Sequence, residues 1–296
     1  MSLTSFLKDR EVAERFKREF EKPRLGSKAP LAAPPLTRSY TLTGIAFDYV
    51  LRFYLQKVNP NAIAQKWVAE DALDLLRVYT GPQFVVDGVS DVGSALKKAE
   101  RIVARAKASL QKYLAERGRG KPGEELIRAS VGLSQLDPFC RAGVIDEGQL
   151  GKINKPIIQD LRNLLSLVES RRFAARRVCA LNPSFGRASR LVGGADADLV
   201  IDGTLIDVKT TKFLRLDRAT FNQLVGYYLL HRIGGIDGCR KNHRIEKLGV
   251  YYSRYGVLFS FPARQVVQDK RLPSLLRWFA KKAREPEVCY VRLSGA

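Results

Sequence analysis

The amino-acid sequence predicts an α/β fold in which a helical N-terminal section precedes a core of strands and helices. Up to about residue 176 the apolar residues recur at helical spacing, and after that point they alternate as they do in strands. Hydrophobic residues make up 45% of the 296-residue chain. The chain can therefore bury a sizeable core, and wholesale disorder is excluded.

The first 37 residues are predicted to form a charged helix followed by a linker. Val12, Phe16 and Phe20 recur every four residues within a predicted helix over residues 4–22. The Pro-rich stretch over residues 23–37 cannot continue that helix, so it favours an extended connector outside the core.

Residues 38–153 form the predicted helical section, which consists of a first core helix and a helical insertion. The most regular helix begins at Val92 and ends near Gly118, and its apolar residues alternate spacings of four and three. That pattern indicates one seam packed on another helix. The predicted helices of this section span residues 41–57, 62–77, 92–118 and 123–136.

The α/β core is predicted over residues 154–296. It opens with a helix that starts after Asn154 and Pro156, and strands and helices follow. The predicted strands span residues 178–182, 195–201, 204–210, 248–252, 257–261 and 288–292, and the predicted helices span residues 155–168, 219–231 and 272–283.

One hairpin in this core carries a group of charged residues. Asp202 and Gly203 separate two apolar runs, which is the strongest short-range signal for a two-residue type I′ turn. That turn sets the register, so that Leu199 faces Ile206, and alternation then assigns the residues to two faces. One face is predicted to hold Asp196, Asp198, Asp207 and Lys209, and the other Ala197, Leu199, Ile201, Ile206 and Val208.

In this register Asp198 faces Asp207 and Asp196 faces Lys209. Like charges that are directly opposed, with Cβ atoms about 4.5–5.5 Å apart, destabilise a sheet. A hard divalent cation, Mg²⁺ or Mn²⁺, would turn that repulsion into coordination. A single strand Asp is more often a turn former or a salt-bridge partner, but the joint arrangement favours a metal site. Asp196 either joins the ligands or neutralises Lys209.

The charge of the chain indicates a polyanionic partner. Lys and Arg number 51 against 30 Asp and Glu, which gives +21, with +6 in the first 150 residues and +15 in the rest. Nucleic acids and anionic lipid surfaces are the usual polyanions. The longest stretch without a charged side chain, Ala219–His231, is too short to cross a membrane, which needs about 20 residues. We therefore expect nucleic acid as the partner and no membrane.

A cytoplasmic location is expected. The N-terminus becomes charged at Lys8, before the apolar region of a signal peptide could form. Cys140, Cys179, Cys239 and Cys289 include no C-x-x-C pair, a spacing that suits isolated reduced thiols.

Several short motifs occur between about residues 190 and 230. They are Gly193–Gly194, Asp198, Asp207-Val208-Lys209-Thr210 and Gln223-Leu224-Val225-Gly226-Tyr227. Together these motifs resemble the PD-(D/E)XK nuclease superfamily. The order of an Asp, then (D/E)-x-K-T, then Q-x-x-x-Y is similar to its RecB-like branch.

The resemblance implies a restriction-endonuclease-like core, in which helices flank a mixed sheet, and hydrolysis of phosphodiester bonds in DNA. It implies that Asp198 and Asp207 ligate Mg²⁺ or Mn²⁺ together with the carbonyl of Val208. The cation would activate a water molecule for attack on the phosphate.

The same resemblance implies three further catalytic residues. Lys209 would hold the attacking water and offset charge on the scissile phosphate. Gln223 and Tyr227 would orient the lysine and the substrate strand.

The identity of an additional acidic ligand is left open by the sequence. Members of the family carry an early helix with a Gly followed four residues later by a metal-binding His. In this chain Gly44 and Asp48 occupy those places. Asp48 is either an oxygen ligand or a solvated residue on the polar side of its helix. Glu169, just before the first strand, is the other candidate.

Five basic residues are predicted to bind the remaining phosphates. A charge run is usually a solvated face, but next to a metal site a phosphate track is an equal interpretation. The chain has no NTPase motif, so a helicase or another subunit of a complex is an expected protein partner. The alternative function is a nucleic-acid-binding or assembly subunit that keeps the fold without cleaving. The five residues are Arg171, Arg172, Arg176, Arg177 and Lys212.

Overall fold

A six-stranded mixed sheet lies at the centre of the fold. The computed structural model describes residues 2–26, 28–78 and 91–285, and the strand predicted over residues 288–292 lies outside them. The strands lie side by side in chain order. They are β1 (Ile63–Ala64), β2 (Cys179–Leu181), β3 (Leu199–Ile201), β4 (Thr204–Lys209), β5 (Lys247–Tyr252) and β6 (Val257–Pro262).

The sheet combines parallel and antiparallel pairs. β1 is parallel to β2 and β4 is parallel to β5, while the other neighbouring pairs are antiparallel. The crossover between β4 and β5 contains a long helix, as parallel neighbours require. The predicted α/β class, with helices flanking a mixed sheet, is confirmed. The restriction-endonuclease-like form of that core stays a prediction.

Twelve helices are found among the described residues. None of these helices is both long and apolar enough to cross a membrane. They are α1 (Leu3–Phe6), α2 (Arg10–Glu19), α3 (Tyr40–Val58), α4 (Val68–Val78), α5 (Val92–Ala115), α6 (Glu124–Ser134), α7 (Asp137–Ala142), α8 (Lys155–Ser166), α9 (Arg187–Leu191), α10 (Arg218–Gly234), α11 (Ala263–Val266) and α12 (Leu272–Lys282).

Two hydrophobic clusters cover the two faces of the sheet. Helices α3 to α8 pack on the face that includes Leu199 and Ile206, and α1, α2, α10 and α12 pack on the face that includes Val200 and Leu205. Neighbouring strand residues fall in different clusters because side chains alternate across a sheet. The first cluster combines helices from residues 38–153 with strands from residues 154–296, so these two predicted sections share one core.

Most predicted elements are present, and the differences concern short segments. The helix predicted over residues 4–22 is divided into α1 and α2. The beginning of the helix predicted over residues 62–77 is instead β1, which pairs with Ala180 and Leu181 far along the chain. Helical periodicity is a local signal, so it does not reveal a two-residue strand whose partner is so distant.

The hairpin between β3 and β4 has the predicted register but a different turn. Leu199 pairs with Ile206, as predicted. Asp202 has a φ of 50°, whereas Gly203 is not among the residues with positive φ. A type I′ turn needs positive φ at both central residues, so this turn is not type I′. The Asp202 carboxylate also accepts the backbone N–H groups of residues 176–178.

The Pro-rich linker contains no helix or strand among its described residues and is mostly exposed, although Ala33 is buried in the core. It covers an ion pair in which Arg254 is 1% and Asp160 0% exposed. Arg254 donates to both Asp160 oxygens at 2.8 and 3.0 Å. The Arg254 carbonyl accepts the N–H groups of Ala32 and Ala33, and Asp160 accepts the N–H of Leu36. Burial of the ion pair therefore depends on the linker.

Three cysteines are described, and each is a free thiol. Cys179 is buried, whereas Cys140 and Cys239 are half-buried. Cys289 lies outside the described residues.

Candidate active site

The predicted site lies at the carboxyl ends of β4 and β5. Lys209, the last residue of β4, pairs there with Tyr252 of β5. Helix α10 brings Gln223 to Lys209 from one face of the sheet. Asp48 belongs to α3, and its charge raises the pKa of Asp198. The carboxyl ends of parallel strands are the usual ligand-binding position in open α/β sheets.

Asp198 and Asp207 form a buried pair of like charges. Asp207 is 1% exposed. Burial, and next the charge of Asp207, raises the pKa of Asp198 well above its ordinary value. Burial also raises the pKa of Asp207, although Lys209 works in the opposite direction. Two buried carboxylates in one place disfavour the state in which both are ionised.

Asp198 reaches β4 through its side chain. The ladder between β3 and β4 ends at Leu199, so the predicted backbone pairing of Asp198 with Asp207 is not formed. The backbone carbonyl of Asp198 instead accepts the N–H of Asn182 at 2.8 Å. Asp198 Oδ2 accepts the N–H of Val208 at 2.5 Å. The carboxylate is thereby fixed beside Asp207, while the Val208 carbonyl stays a predicted ligand.

Lys209 is fixed between the carboxylate and helix α10. Its Nζ donates to Asp207 Oδ1 at 3.1 Å and to Gln223 Oε1 at 3.2 Å. Gln223 Nε2 in turn donates to the hydroxyl of Tyr227 at 2.8 Å. Burial alone would lower the pKa of Lys209, but Asp207 and Asp198 raise it above its ordinary value. The ammonium group is therefore charged, and the structure joins the three predicted residues in one chain of hydrogen bonds.

Asp48 lies at the edge of this cluster. Its charge contributes to the raised pKa of both Asp198 and Asp207. Asp48 Oδ2 is 2.6 Å from Arg52 Nη2, and Oδ1 is buried without a hydrogen-bond partner. The side chain is 25% exposed, so Asp48 is neither freely solvated nor unpaired. Of the two candidates for an additional acidic ligand, it is the one that the fold brings to the pair.

The predicted positions of Asp196 and Ala197 are wrong. Ala197 packs in the cluster of Val200 rather than that of Leu199. Asp196 forms an isolated bridge with Ser184. Alternation fails because these residues precede the first residue of β3 and no longer follow its ladder. The main cations that act on Asp196 are Arg141 and Arg52, so it does not neutralise Lys209 as one interpretation proposed.

Glu169 is exposed and paired with an arginine. Its side chain is 61% exposed, and both oxygens accept hydrogen bonds from Arg172 at 2.9 Å. Arg172 also donates to the carbonyl of Gly256. Glu169 as a metal ligand stays a prediction.

The predicted phosphate-binding arginines do not all adjoin the site. Arg176 and Arg177 donate their N–H groups to Asp202, at the turn that precedes β4. Along β4, Asp207 is three residues from Thr204, about 10 Å at about 3.3 Å per residue, and Lys209 is five residues away, about 17 Å. Phosphate binding by Arg176 and Arg177 stays a prediction. Lys212 does follow β4 at the site, whereas Arg171 is exposed in the turn that contains Arg172.

Three charged residues near the site are not among the predicted site residues. Arg52 could have been predicted from the sequence, since it follows Asp48 by four residues in a helix. Asp217 was readable as the N-cap of α10, where it accepts the Thr220 N–H at 2.8 Å, and its charge raises the pKa of Asp207. Arg141 carries no local signal, because tertiary packing alone brings α7 toward Asp196.

The donor atoms suit a hard cation. Asp207 Oδ2 lies 2.9 Å from Lys209 Nζ, and Asp48 Oδ1 is buried without a hydrogen-bond partner. Among the described residues, no three His, Cys, Asp or Glu side chains are grouped closely enough to hold a metal ion by themselves. Mg²⁺ is commonly held by one or two carboxylates together with water and substrate phosphate. The Asp198–Asp207 pair can provide the carboxylates.

Comparison of the chain with protein-family models, curated proteins and solved structures found no match. What the site does is therefore inferred from its own geometry.

Proposed function

We propose that the protein is a metal-dependent nuclease that hydrolyses phosphodiester bonds in DNA. The observation that carries the proposal is the buried Asp198–Asp207 pair with a charged Lys209 beside it. The resemblance of the surrounding motifs to PD-(D/E)XK nucleases supports the same function.

The carboxylates have the binding role in this proposal. Asp198, Asp207 and the Val208 carbonyl bind Mg²⁺ or Mn²⁺, and Asp48 adds negative charge from α3. The bound cation supplies an activated water and stabilises the leaving oxygen. Burial of Asp207 limits competition from solvent, so the carboxylate is available to the cation.

Lys209 has an electrostatic role. Its raised pKa keeps the ammonium group charged, so it donates hydrogen bonds and does not accept a proton. It holds the attacking water and offsets charge on the phosphate as the charge develops. Gln223 and Tyr227 act as positioning residues that hold the Nζ atom in place.

The partner is a nucleic acid, bound largely through its phosphates. The net charge of +21 favours this partner without any reading of base sequence. A helicase or other subunits of a complex would supply strand separation where it is needed. Action in the cytoplasm belongs to the same proposal.

Substitution of Asp207 or Lys209 tests the chemistry. Asp207→Ala and Lys209→Ala should each abolish Mg²⁺-dependent cleavage, because the first removes a ligand and the second removes the charge beside the phosphate. Binding of the same oligonucleotide in EDTA should be largely intact. The measurement is product formation on labelled single-stranded, duplex and branched DNA, with melting curves to verify folding.

Lys247→Ala is a matched control, since this exposed lysine begins β5 at the other end of the sheet. It should retain cleavage. Equal cleavage by the wild type in EDTA, or residual activity of both site variants equal to the wild type, would refute the nuclease. Salt-sensitive binding without products on any of the three substrates would support the non-cleaving subunit instead.

The mode of cleavage needs a separate experiment. A time course on circular and linear DNA with Mg²⁺ distinguishes the two modes, because only an endonuclease opens the circle.

A further inference from the structure

Most aromatic side chains of the described residues are buried or half-buried, but two are exposed. Among the described residues, Tyr40 at 51% and Phe213 at 53% are the aromatic side chains classed as exposed. Both belong to segments that border the Asp198–Asp207 pair. Scattered exposed apolar residues are ordinary, but exposed rings confined to the border of one site indicate binding.

Phe213 is close to Lys209 and its backbone is held in place. The two are four positions apart in the sequence, so their Cα atoms are at most about 14 Å apart. The Phe213 N–H donates to Thr211 Oγ1 at 3.2 Å. The carbonyl of Lys212 accepts the hydroxyl of Tyr255 at 2.5 Å. The ring is therefore presented to solvent from a loop with fixed contacts, and little freedom is lost when it binds a ligand.

Two cations accompany this ring. Lys212 Nζ and the Arg215 guanidinium carbon are each 5.3 Å from the centroid of Phe213. Neither residue forms a salt bridge within the described part of the chain, so both charges are available. An aromatic face beside unpaired cations is complementary to a nucleotide, which combines a flat base with a phosphate.

Tyr40 is the first residue of α3. Tyr40, Gly44 and Asp48 are four residues apart and therefore share one side of that helix. A Cβ atom at Gly44 would be 3.9 Å from Thr210 Cβ, so this side of α3 adjoins the residue after Lys209. Tyr40 is thus at the outer end of a helix face that begins with Asp48 at the acidic pair.

We propose that Phe213 and Tyr40 stack on unpaired bases, so that the substrate is a nucleic-acid strand with unpaired nucleotides beside the scissile phosphate. This inference rests on the proposed function, which it narrows to single strands, overhangs and flaps. Paired bases of a duplex are stacked on each other and present only their edges, so they offer no free face to a ring. Lys212 and Arg215 bind the adjacent phosphates.

The test compares binding of a labelled single-stranded oligonucleotide with binding of a blunt duplex of equal length, in EDTA so that neither is cleaved. Phe213→Ala should raise the Kd for the single strand about tenfold, the equivalent of about 1.4 kcal/mol, which is within the range for loss of one stacked base. The Kd for the duplex should change less than twofold. Phe213→Trp should restore single-strand binding, and Tyr40→Ala should add to the loss.

Ile233→Ala is the matched control, because Ile233 is an exposed apolar residue at the far end of α10. It should leave both Kd values unchanged. An equal loss on duplex and single strand, or no loss on either, would overturn the inference, and the rings would then serve a protein partner.

Failure of the inference differs from failure of the proposed function. Phe213-dependent binding of single strands by a protein that cleaves nothing would refute the nuclease and retain the stacking surface. Metal-dependent cleavage of blunt duplex DNA that Phe213→Ala leaves unchanged would support the nuclease and refute the stacking surface.

Discussion

Lys209 shows how one side chain depends on its neighbours for chemistry. It has hydrogen bonds to Asp207 and Gln223, and Gln223 depends on the hydroxyl of Tyr227. Tyr227 is buried, and burial, followed by the charge of Asp198, raises its pKa well above the ordinary value. The hydroxyl therefore keeps its proton and acts only as a hydrogen-bonding group.

Removal of that hydroxyl should affect the rate more than binding. Tyr227→Phe leaves the Gln223 amide without its partner, and loss of one hydrogen bond is worth about 1 kcal/mol. We expect kcat to fall roughly fivefold with little change in KM, measured on the preferred substrate with Mg²⁺.

Tyr228→Phe is the control for this prediction. The hydroxyl of Tyr228, the next residue of α10, accepts a hydrogen bond from Arg232, away from Lys209. A similar loss of kcat in both variants would mean that Tyr227 has no special role.

At the scale of elements, the linker and the ion pair that it covers are the least expected feature of the fold. Arg254 follows β5 and Asp160 belongs to α8, and their pairing holds the linker over the end of the sheet. A buried ion pair costs desolvation, but loss of one partner leaves an uncompensated charge inside the protein.

Asp160→Ala should therefore destabilise the protein by about 3–5 kcal/mol. Chemical unfolding in urea measures this loss. Trypsin should also cut faster at Lys28, within the linker, and at Arg38, directly after it, because the Leu36 N–H loses its acceptor.

Double replacement by Arg254→Met and Asp160→Leu is the matched comparison. It should recover much of the stability, because neither charge is then left unpaired. Unchanged stability and unchanged cutting in Asp160→Ala would show that the pair does not hold the linker.

At the scale of the whole molecule, the excess of Lys and Arg residues is not confined to the neighbourhood of the site. Arg176 and Arg177 lie beside the turn that precedes β4, at the end of the sheet opposite Lys209. A cavity of about 1200 Å³ lies at the same end and is lined by further basic residues: Arg232, Lys241, Arg244, Lys247 and Arg264.

Replacement of Arg176 and Arg177 by Ala should weaken nucleic-acid binding without changing the rate of cleavage at saturation. Each lost phosphate contact lowers the slope of log Kd against log salt by about 1, so we expect a decrease of about 2. Titrations of a long oligonucleotide at several salt concentrations measure it. Arg128→Ala with Arg162→Ala is the control, because both arginines pair with Glu124. An unchanged slope would exclude the two arginines from the phosphate track.

A divalent cation should stabilise the whole protein. Binding to the folded state alone adds about 2.7 kcal/mol at a metal concentration of 100 times Kd, so Mn²⁺ should raise the melting temperature. Asp207→Asn should abolish the rise, since a ligand is lost. An equal rise in Asp207→Asn, or none in the wild type at millimolar Mn²⁺, would contradict a metal site at the carboxylate pair.

The sequence by itself determined the features that depend on local chemistry. The two-residue turn at Asp202 determines which residues of β3 and β4 face each other. The register predicted in this way is confirmed. The long helices follow from apolar periodicity. The motif around Asp207, Lys209, Gln223 and Tyr227 indicated four side chains that the fold brings together.

Only the tertiary structure decided what depends on contacts between distant segments. It placed Asp48 beside the pair and paired Glu169 with Arg172, although both carboxylates were plausible ligands in the sequence. It ended the ladder at Leu199, so that Asp196 turned toward Arg141. Periodicity describes which way a side chain points within one element. It carries no information about which elements pack together, because that depends on burying the largest apolar surface across the whole chain.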